Sequence, residues 1–315
     1  MDTIILNNKC YIKGFASAVG SLEGQGLYGK YFDAVFDDPL LNKDTWEKAE
    51  SELQHFAIDK ATKKAHMENK IELIIAGDLL NQCTASTFSS LDSNSAYIGV
   101  YGACSTMALS MAIGSFLVSG GFKNNLIAAT SSHFCSSERQ YRFPLEYGGQ
   151  RPPSAQRTAT ASGASVIAEN KENTPCIEAV TFGKIMDLGI KDANNMGAAM
   201  APAAASTIGD FLNDTHTSPT DYDLILTGDL GKVGAELLID LLKKDYGYDI
   251  SSVHGDCGLM IYDIEAQDVH AGGSGCGCSG SVVNSYIMRQ LKEKTLKRVL
   301  FVGTGALLSP TSTMQ

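Results

Sequence analysis

Cys104 stands in Gly102-Ala103-Cys104-Ser105-Thr106, directly ahead of the apolar run Met107–Val118. The reactive form of cysteine is the thiolate, and the free N–H groups and positive dipole end at a helix N-terminus favour it. A strand over 96–101 that turns sharply at Gly102-Ala103, followed by a helix opening at Ser105-Thr106, puts the thiol at such a place. The helix has almost no charge on any side, so it is expected to be buried all round. Cys104 could also be plain core packing, since free cysteine is among the most buried residue types. A strand–Cys–helix junction favours the site reading. Two other candidates end neighbouring strands: Asp78 closes Leu73-Ile74-Ile75-Ala76-Gly77, and His133 closes the stretch that begins at Asn125. Both point to a pocket where strand ends converge on the cysteine.

The elements that must hold these residues repeat along the chain. Ile71–Leu79 (IELIIAGDL) returns as Tyr222–Leu230 (YDLILTGDL), 151 residues on. Leu126–Thr130 returns as Leu300–Thr304, 174 residues on, and that offset lays Cys278-Ser279 over Cys104-Ser105, again ahead of a helix (Val282–Lys294). Asp229 is then the counterpart of Asp78; an aspartate there can simply tie down loop amides, and Asp78, in the Cys104 half, is the one assigned to the pocket. Wholly apolar short strands belong inside sheets covered on both faces. Two such α/β halves, 1–175 and 176–315, are expected to pack as five layers, α-β-α-β-α, with the two cysteine helices in the middle. Upstream, Tyr11–Val19 reads as a strand, Gly20–Gly29 as loop, and Thr45–Lys64 as a helix with Trp46, Ala49, Leu53, Phe56 and Ala57 on one face.

Composition excludes several classes. Lys+Arg of 25 against Asp+Glu of 35 gives −10, the wrong sign for nucleic acid. No stretch nears the roughly 18 apolar residues of a spanning helix, and the N-terminus does not read as a signal peptide. The eight cysteines fit a reducing compartment better than a disulfide scaffold. Cys276-Gly277-Cys278 lacks a second pair at zinc spacing, so no metal is assigned, and no cofactor is called for.

The duplicated architecture with its Gly-Ala-Cys-Ser junction resembles the thiolase superfamily over essentially the whole chain. Longer strings resemble one branch of it, the stage V sporulation protein AD family. They are Ala76-Gly-Asp-Leu-Leu-Asn-Gln82, Gly102-Ala-Cys-Ser-Thr106, Ala128-Ala-Thr-Ser-Ser-His133, Glu146-Tyr-Gly-Gly-Gln150, Met200-Ala-Pro-Ala-Ala-Ala205, Gly272-Gly-Ser-Gly-Cys276 and Thr304-Gly-Ala-Leu-Leu-Ser-Pro310. The resemblance implies a non-enzymatic protein of sporulation that binds dipicolinic acid, a pyridine dicarboxylate, and supports its uptake with calcium into the developing spore. It also implies a homodimer paired through the strand at 96–101. The implied partners are the membrane proteins of the same sporulation operon, holding the chain peripherally at the spore inner membrane. The family closes its second sheet with a strand beyond the Ser-Pro element, so a chain stopping at Gln315 is either a piece or leaves that edge open.

Against the thiolase pattern two catalytic seats have changed. The frame Gly-His-Pro-x-Gly-x-Ser-Gly reads Gly273–Gly280 here, with Ser274 in the histidine seat, and the late Cys-x-Gly falls on Phe301-Val302-Gly303. Cysteine without its base and acid loses most of a covalent mechanism, so the expectation is a binding pocket and no enzyme; the competing expectation is a condensing enzyme or acyltransferase using Cys104 with His133. For the dicarboxylate, arginine forks are the natural donors. Arg139, Arg142, Arg151, Arg157 and Lys184 lie between the two halves. The expected site comprises Asp78, Cys104, His133, Arg151, Lys184, Asp187, Ser274 and Cys276, with binding that strengthens as His133 gains a proton.

Overall fold

Side-chain alternation along the strands decides the layers. Ile74, Ala76, Ile127, Ala129, Ala164 and Val166 face one way and pack with Ala57 and Ala61 of a long amphipathic helix. Their neighbours Leu73, Ile75, Leu126, Ala128 and Ile167 face the other way and pack with Met107, Met111, Val282 and Val283. Successive side chains of a strand point to opposite faces, so a sheet apolar at every position must be covered on both sides.

The computed structural model describes residues 3–141, 150–169, 174–309 and 312. In chain order the strands are β1 (Thr3–Gly20), β2 (Ala34–Phe36), β3 (Leu73–Gly77), β4 (Ala96–Gly99), β5 (Asn125–Ser132), β6 (Arg157–Thr158), β7 (Ala161–Ala168), β8 (Cys176–Thr181), β9 (Leu224–Thr227), β10 (His254–Asp256), β11 (Gly273–Ser274) and β12 (Val299–Val302). The helices are α1 (Ser21–Gly24), α2 (Trp46–Lys64), α3 (Thr84–Ser89), α4 (Thr106–Ser119), α5 (Phe134–Tyr141), α6 (Met196–Thr215), α7 (Gly231–Tyr246), α8 (Cys257–Met260), α9 (Cys276–Val282) and α10 (Met288–Lys292), with a π-helical turn at Val283–Ile287 joining the last two.

The first sheet runs β2-β1-β7-β5-β3-β4, with β8 also on β1. The second runs β10-β9-β12. On the outer face of the second sheet, Ile225 and Val302 pack with Met200, Ile208 and Leu212 of α6 and with Leu238 and Leu242 of α7; on its inner face Leu224, Leu226 and Phe301 join the α4 and α9 cluster. The order is therefore α2, sheet, α4 with α9, sheet, α6 with α7: the five-layer α/β fold expected from the duplication. Each buried Leu, Ile or Val of these layers contributes roughly 1.5–3 kcal/mol.

The repeat is visible in the pairing. β4-β3-β5 are parallel neighbours in the first sheet, and β10-β9-β12 are parallel neighbours in the second. Between β5 and β1 the first sheet carries the antiparallel β7. In the second, β12 pairs only with β9 among the described residues, and β8 lies antiparallel on β1 with Thr3 opposite Thr181. An apolar groove of about 1160 Å³, with Met111, Met200, Ile208, Phe211 and Ile287 on its walls, separates β8 from β12. The middle layer sits close to the first sheet because Gly163 faces α9: a Cβ there would lie 2.0 Å from Gly280 O.

Three local expectations change. The strand read from Tyr11 begins at Thr3, because its first half pairs with β8, a partner that local patterning around the polar Asn7, Asn8 and Lys9 does not reveal. Gly20–Gly29 is not all loop; Ser21–Gly24 is helical and Gly29–Tyr31 forms a 3-10 turn. Cys278 is not the geometric twin of Cys104, because α9 starts at Cys276 and carries Cys278 inside it, whereas Cys104 precedes α4 by two residues.

Candidate functional site around Cys104

Cys104 sits in a turn whose backbone is set by Ala103, at φ 49 in the left-handed region. Side chains fix that turn: Ser105 Oγ donates to Gly102 O at 2.6 Å, Thr106 Oγ1 donates to Ala103 O at 2.7 Å, and Gly102 N–H donates to Thr106 Oγ1 at 3.1 Å. A left-handed non-glycine residue costs of order 1–3 kcal/mol and persists where its surroundings over-determine it. The result points Cys104 into a cavity of about 110 Å³ bounded by Leu79, Tyr101, Glu138, Tyr141, Thr158, Met196, Ser274 and the stretch Ala306–Ser309.

The second half supplies the polar wall. β11 pairs with β6, which brings Ser274 beside Thr158. Ser274 Oγ lies 3.9 Å from Cys104 Sγ and donates to Asp229 Oδ2 at 3.2 Å. The same Oδ2 accepts Gly275 N–H at 2.8 Å, and Oδ1 accepts Thr304 Oγ1 at 2.8 Å. Gly275 is at φ +99, and a Cβ there would meet Ser132 Oγ at 2.9 Å, so glycine lets this loop turn its amide onto the carboxylate. Burial pushes Asp229 up to about 7, against hydrogen bonds from Cys104, Thr304 and Gly275 that favour its charged form. Cys104 is raised well above an ordinary thiol, first by burial and then by the Asp229 carboxylate. At neutral pH the thiol is protonated and serves as a donor, whatever the helix dipole offers. Opposite, Tyr141 OH pairs with Tyr101 OH at 2.8 Å and donates to Leu79 O, and Thr158 Oγ1 donates to the buried Glu138 at 3.1 Å.

Of the eight expected site residues, the cavity brings together Cys104 and Ser274. Cys276 is near, in an apolar cluster with Cys104 and Leu79, but its thiol donates to Ser131 O at 2.9 Å. Asp78 faces its own loop: it accepts Ser86 N–H at 2.7 Å, Ser86 Oγ at 2.6 Å and Leu80 N–H at 2.8 Å. The two repeat aspartates therefore have the opposite assignment from the one read in the sequence, and Asp229 is the one at the cysteine. His133 is fully buried with Nε2 2.7 Å from Pro39 O and Nδ1 accepting Cys135 N–H; it does not line the cavity, and burial lowers its pKa. Arg151 reaches Asp268 O at 3.3 Å. Lys184 pairs with Asp210 at the surface, and Asp187 accepts Gly189 N–H in the exposed segment after β8; neither lines the cavity. Arg139 pairs with Glu47, Arg157 stacks on Phe134 with its guanidinium 3.9 Å from the ring centroid, and Arg142 lies outside the described residues.

Sequence reasoning weighed Asp229 and set it aside in favour of Asp78, and it missed Tyr101, Tyr141 and Thr304. The available signal was the repeat itself: when two halves pack face to face, the strand end of one meets the helix head of the other, so the Cys104 partner belongs at 229 and not at 78.

Comparison with known proteins shows the family and the fold. The family model for Stage V sporulation protein AD matches residues 1–315. The chain is 44% identical over 315 residues to Stage V sporulation protein AD of Bacillus subtilis (strain 168), covering 100% of this chain and 92% of that one. Among solved structures, a variant of Xanthomonas campestris OleA matches with TM-score 0.62 at 13% identity, over 96% of each chain. 3-Oxoacyl-[acyl-carrier-protein] synthase III of Aquifex aeolicus VF5 matches with TM-score 0.58 at 10% identity, over 94% of this chain and 96% of that one. At such identities the structural likeness shows the fold alone. The chain belongs to the Stage V sporulation protein AD family, sporulation proteins built on a thiolase-like fold.

Proposed function

We propose that this protein binds dipicolinic acid in the Cys104 cavity without transforming it, and so supports uptake of that diacid into the developing spore. The observation that carries the reading is the state of the thiol. Cys104 is buried against the Asp229 carboxylate and its hydrogen is held there, so the form needed for attack on a thioester is suppressed. Ser274 and Phe301 occupy the seats where a thiolase keeps its base and acid, and Phe301 lies along the β8–β12 groove, not in the cavity. A cavity of about 110 Å³ is far below the roughly 300 Å³ at which drug-sized ligand sites begin, which suits one small flat ring better than a long acyl arm. Tyr101 and Tyr141 offer flat faces for such a ring, and the Ser274 hydroxyl and the Cys104 thiol, once turned from Asp229, offer hydrogen bonds for its carboxylates.

Calcium entering with the diacid, and attachment to the membrane proteins of the same sporulation operon, belong to the same proposal. Among the described residues no helix is long and apolar enough to cross a membrane. A homodimer through β4 is supported by its position at the sheet edge with Ile98 and Tyr101 40% and 46% exposed.

Calorimetry with dipicolinate, run beside a thioester-turnover assay with acyl-coenzyme A, tests the reading. Binding of dipicolinate without turnover is the expected result. Turnover that Cys104→Ala abolishes would replace it with an acyltransferase.

A further inference from the structure

We propose that the Cys104 cavity takes its anionic ligand together with one proton, which is held on Asp229 behind Ser274. This inference rests on the reading above that the ligand is a dicarboxylate. Asp229 is fully buried, and its side chain meets two hydroxyls, one amide N–H and one thiol. The titratable groups facing it are Cys104 ahead of α4, Asp256 at the end of β10, Cys257 of α8, and Cys276 and Cys278 of α9. None of them is a cation. Arg157, the cation nearest along β6, is turned onto the Phe134 ring, and His133 faces Pro39.

Ionised Asp229 does two things that oppose an anion in the cavity. It places a negative charge one hydroxyl away, in surroundings where charge is poorly screened. It also draws the Ser274 hydroxyl, at 3.2 Å, and the Cys104 thiol toward itself, leaving lone pairs facing the cavity. Gly275 N–H already occupies Oδ2, so an added proton sits on Oδ1 and is donated to Thr304 Oγ1, 2.8 Å away; the Thr304 hydroxyl turns its own hydrogen off Oδ1 and keeps accepting Asp229 N–H at 2.9 Å. Oδ2 is then a neutral carbonyl with a weaker pull, and the Ser274 hydroxyl and the thiol are free to turn and donate to a ligand carboxylate. One proton moves from solvent to Asp229 per ligand bound, and no bond to the ligand forms. Free Asp229 titrates at about 7, so the transfer falls within the physiological range. The sign follows: affinity is full below that pH and falls about tenfold per pH unit above it. Carboxylic acids themselves titrate near 4, so a dicarboxylate is already a dianion there and contributes no proton change.

The test is calorimetry with dipicolinate on the full chain at pH 6 to 9, in two buffers of different ionisation enthalpy. At pH 8 the wild type is expected to take up close to one proton per ligand and to bind about fivefold more weakly than at pH 7 and about tenfold more weakly than at pH 6. Asp229→Asn, whose amide can sit where Oδ1–H would, is expected to bind with no proton uptake and a flat pH profile. Wild-type binding that is flat with pH and takes up no proton overturns the inference while leaving dipicolinate binding intact. No wild-type binding at any pH overturns the binding reading and this inference with it. The wild-type measurements decide the matter even if Asp229→Asn does not fold.

Discussion

Cys104 and Asp229, 125 positions apart in the chain, share the Ser274 hydroxyl: its oxygen is 3.9 Å from the thiol and 3.2 Å from the carboxylate. The cysteine comes from the first half and the other two from the second, so the site exists only where the halves meet. A thiol that burial and a neighbouring carboxylate keep protonated is a hydrogen-bond donor.

Labelling of Cys104 checks the state of that thiol. Because burial and Asp229 raise its pKa, alkylation by iodoacetamide at pH 7.5 is expected to be at least tenfold slower than for a free cysteine. Peptide mass spectrometry gives the rate. Cys104→Ala is expected to weaken dipicolinate binding only a few-fold, whereas Cys104→Trp fills the cavity and blocks it; abolition of binding by Cys104→Ala would mean that the sulfur does more than donate.

Stability should fall as pH rises, and Glu50 is a main cause. It is fully buried, accepts hydroxyls from Ser131 at 3.1 Å and Ser136 at 2.7 Å, and is pushed up to about 8 by burial and then by the Asp78 carboxylate. Its folded value lies above its unfolded one, so the folded chain keeps a proton that the unfolded chain releases. That contribution is full below about pH 4.5 and is lost by about 1.4 kcal/mol per pH unit up to about pH 8. Asp229 acts with the same sign up to about pH 7. Urea midpoints are expected to be lower at pH 8 than at pH 5.5, with a shallower dependence in Glu50→Gln; equal slopes for the two proteins would remove Glu50 from the account.

The middle layer rests on backbone-to-backbone contact. In Gly163→Ala the new methyl would meet Gly280 O at 2.0 Å and C at 2.3 Å, atoms that cannot swing aside. Overpacking of this kind costs about 1–3 kcal/mol or more. Equilibrium urea unfolding measures it; Gly121→Ala, where a Cβ meets nothing within 4 Å but φ is +73, separates packing from backbone strain.

Light scattering tests the proposed homodimer. Twice the chain mass of 33.5 kDa is expected for the wild type, and Ile98→Asp, at a β4 position 40% exposed, should shift the mass to that of one chain. A charge at an edge strand opposes edge-to-edge pairing. A wild-type monomer at micromolar concentration would count against the dimer.

Much of the fold was legible because its strands are apolar at every position. Such runs as Leu73–Ala76 and Leu126–Ala129 permit one environment, between two helical layers. The α2 boundaries were legible from Thr45, which accepts Lys48 N–H as a cap. The extension of β1 back to Thr3 was not, since only Thr3, Leu6 and Cys10 of its first eight residues are buried and the pairing partner lies 178 positions away.

Sequence by itself determined the duplication, the five layers and the place of Cys104 at a strand–helix junction, because periodicity and turn chemistry act over a few residues. Tertiary structure alone decided which of the like residues serve the cavity. Asp78 and Asp229 end equivalent strands and read identically, yet Asp78 turns to its own Ser86 while Asp229 faces the other half's cysteine. His133, sited beside the right strand end, points to Pro39. The direction in which a side chain leaves a strand end depends on loops packed from elsewhere in the chain, and Gly275 and Thr304, which hold Asp229, are 46 and 75 positions from it.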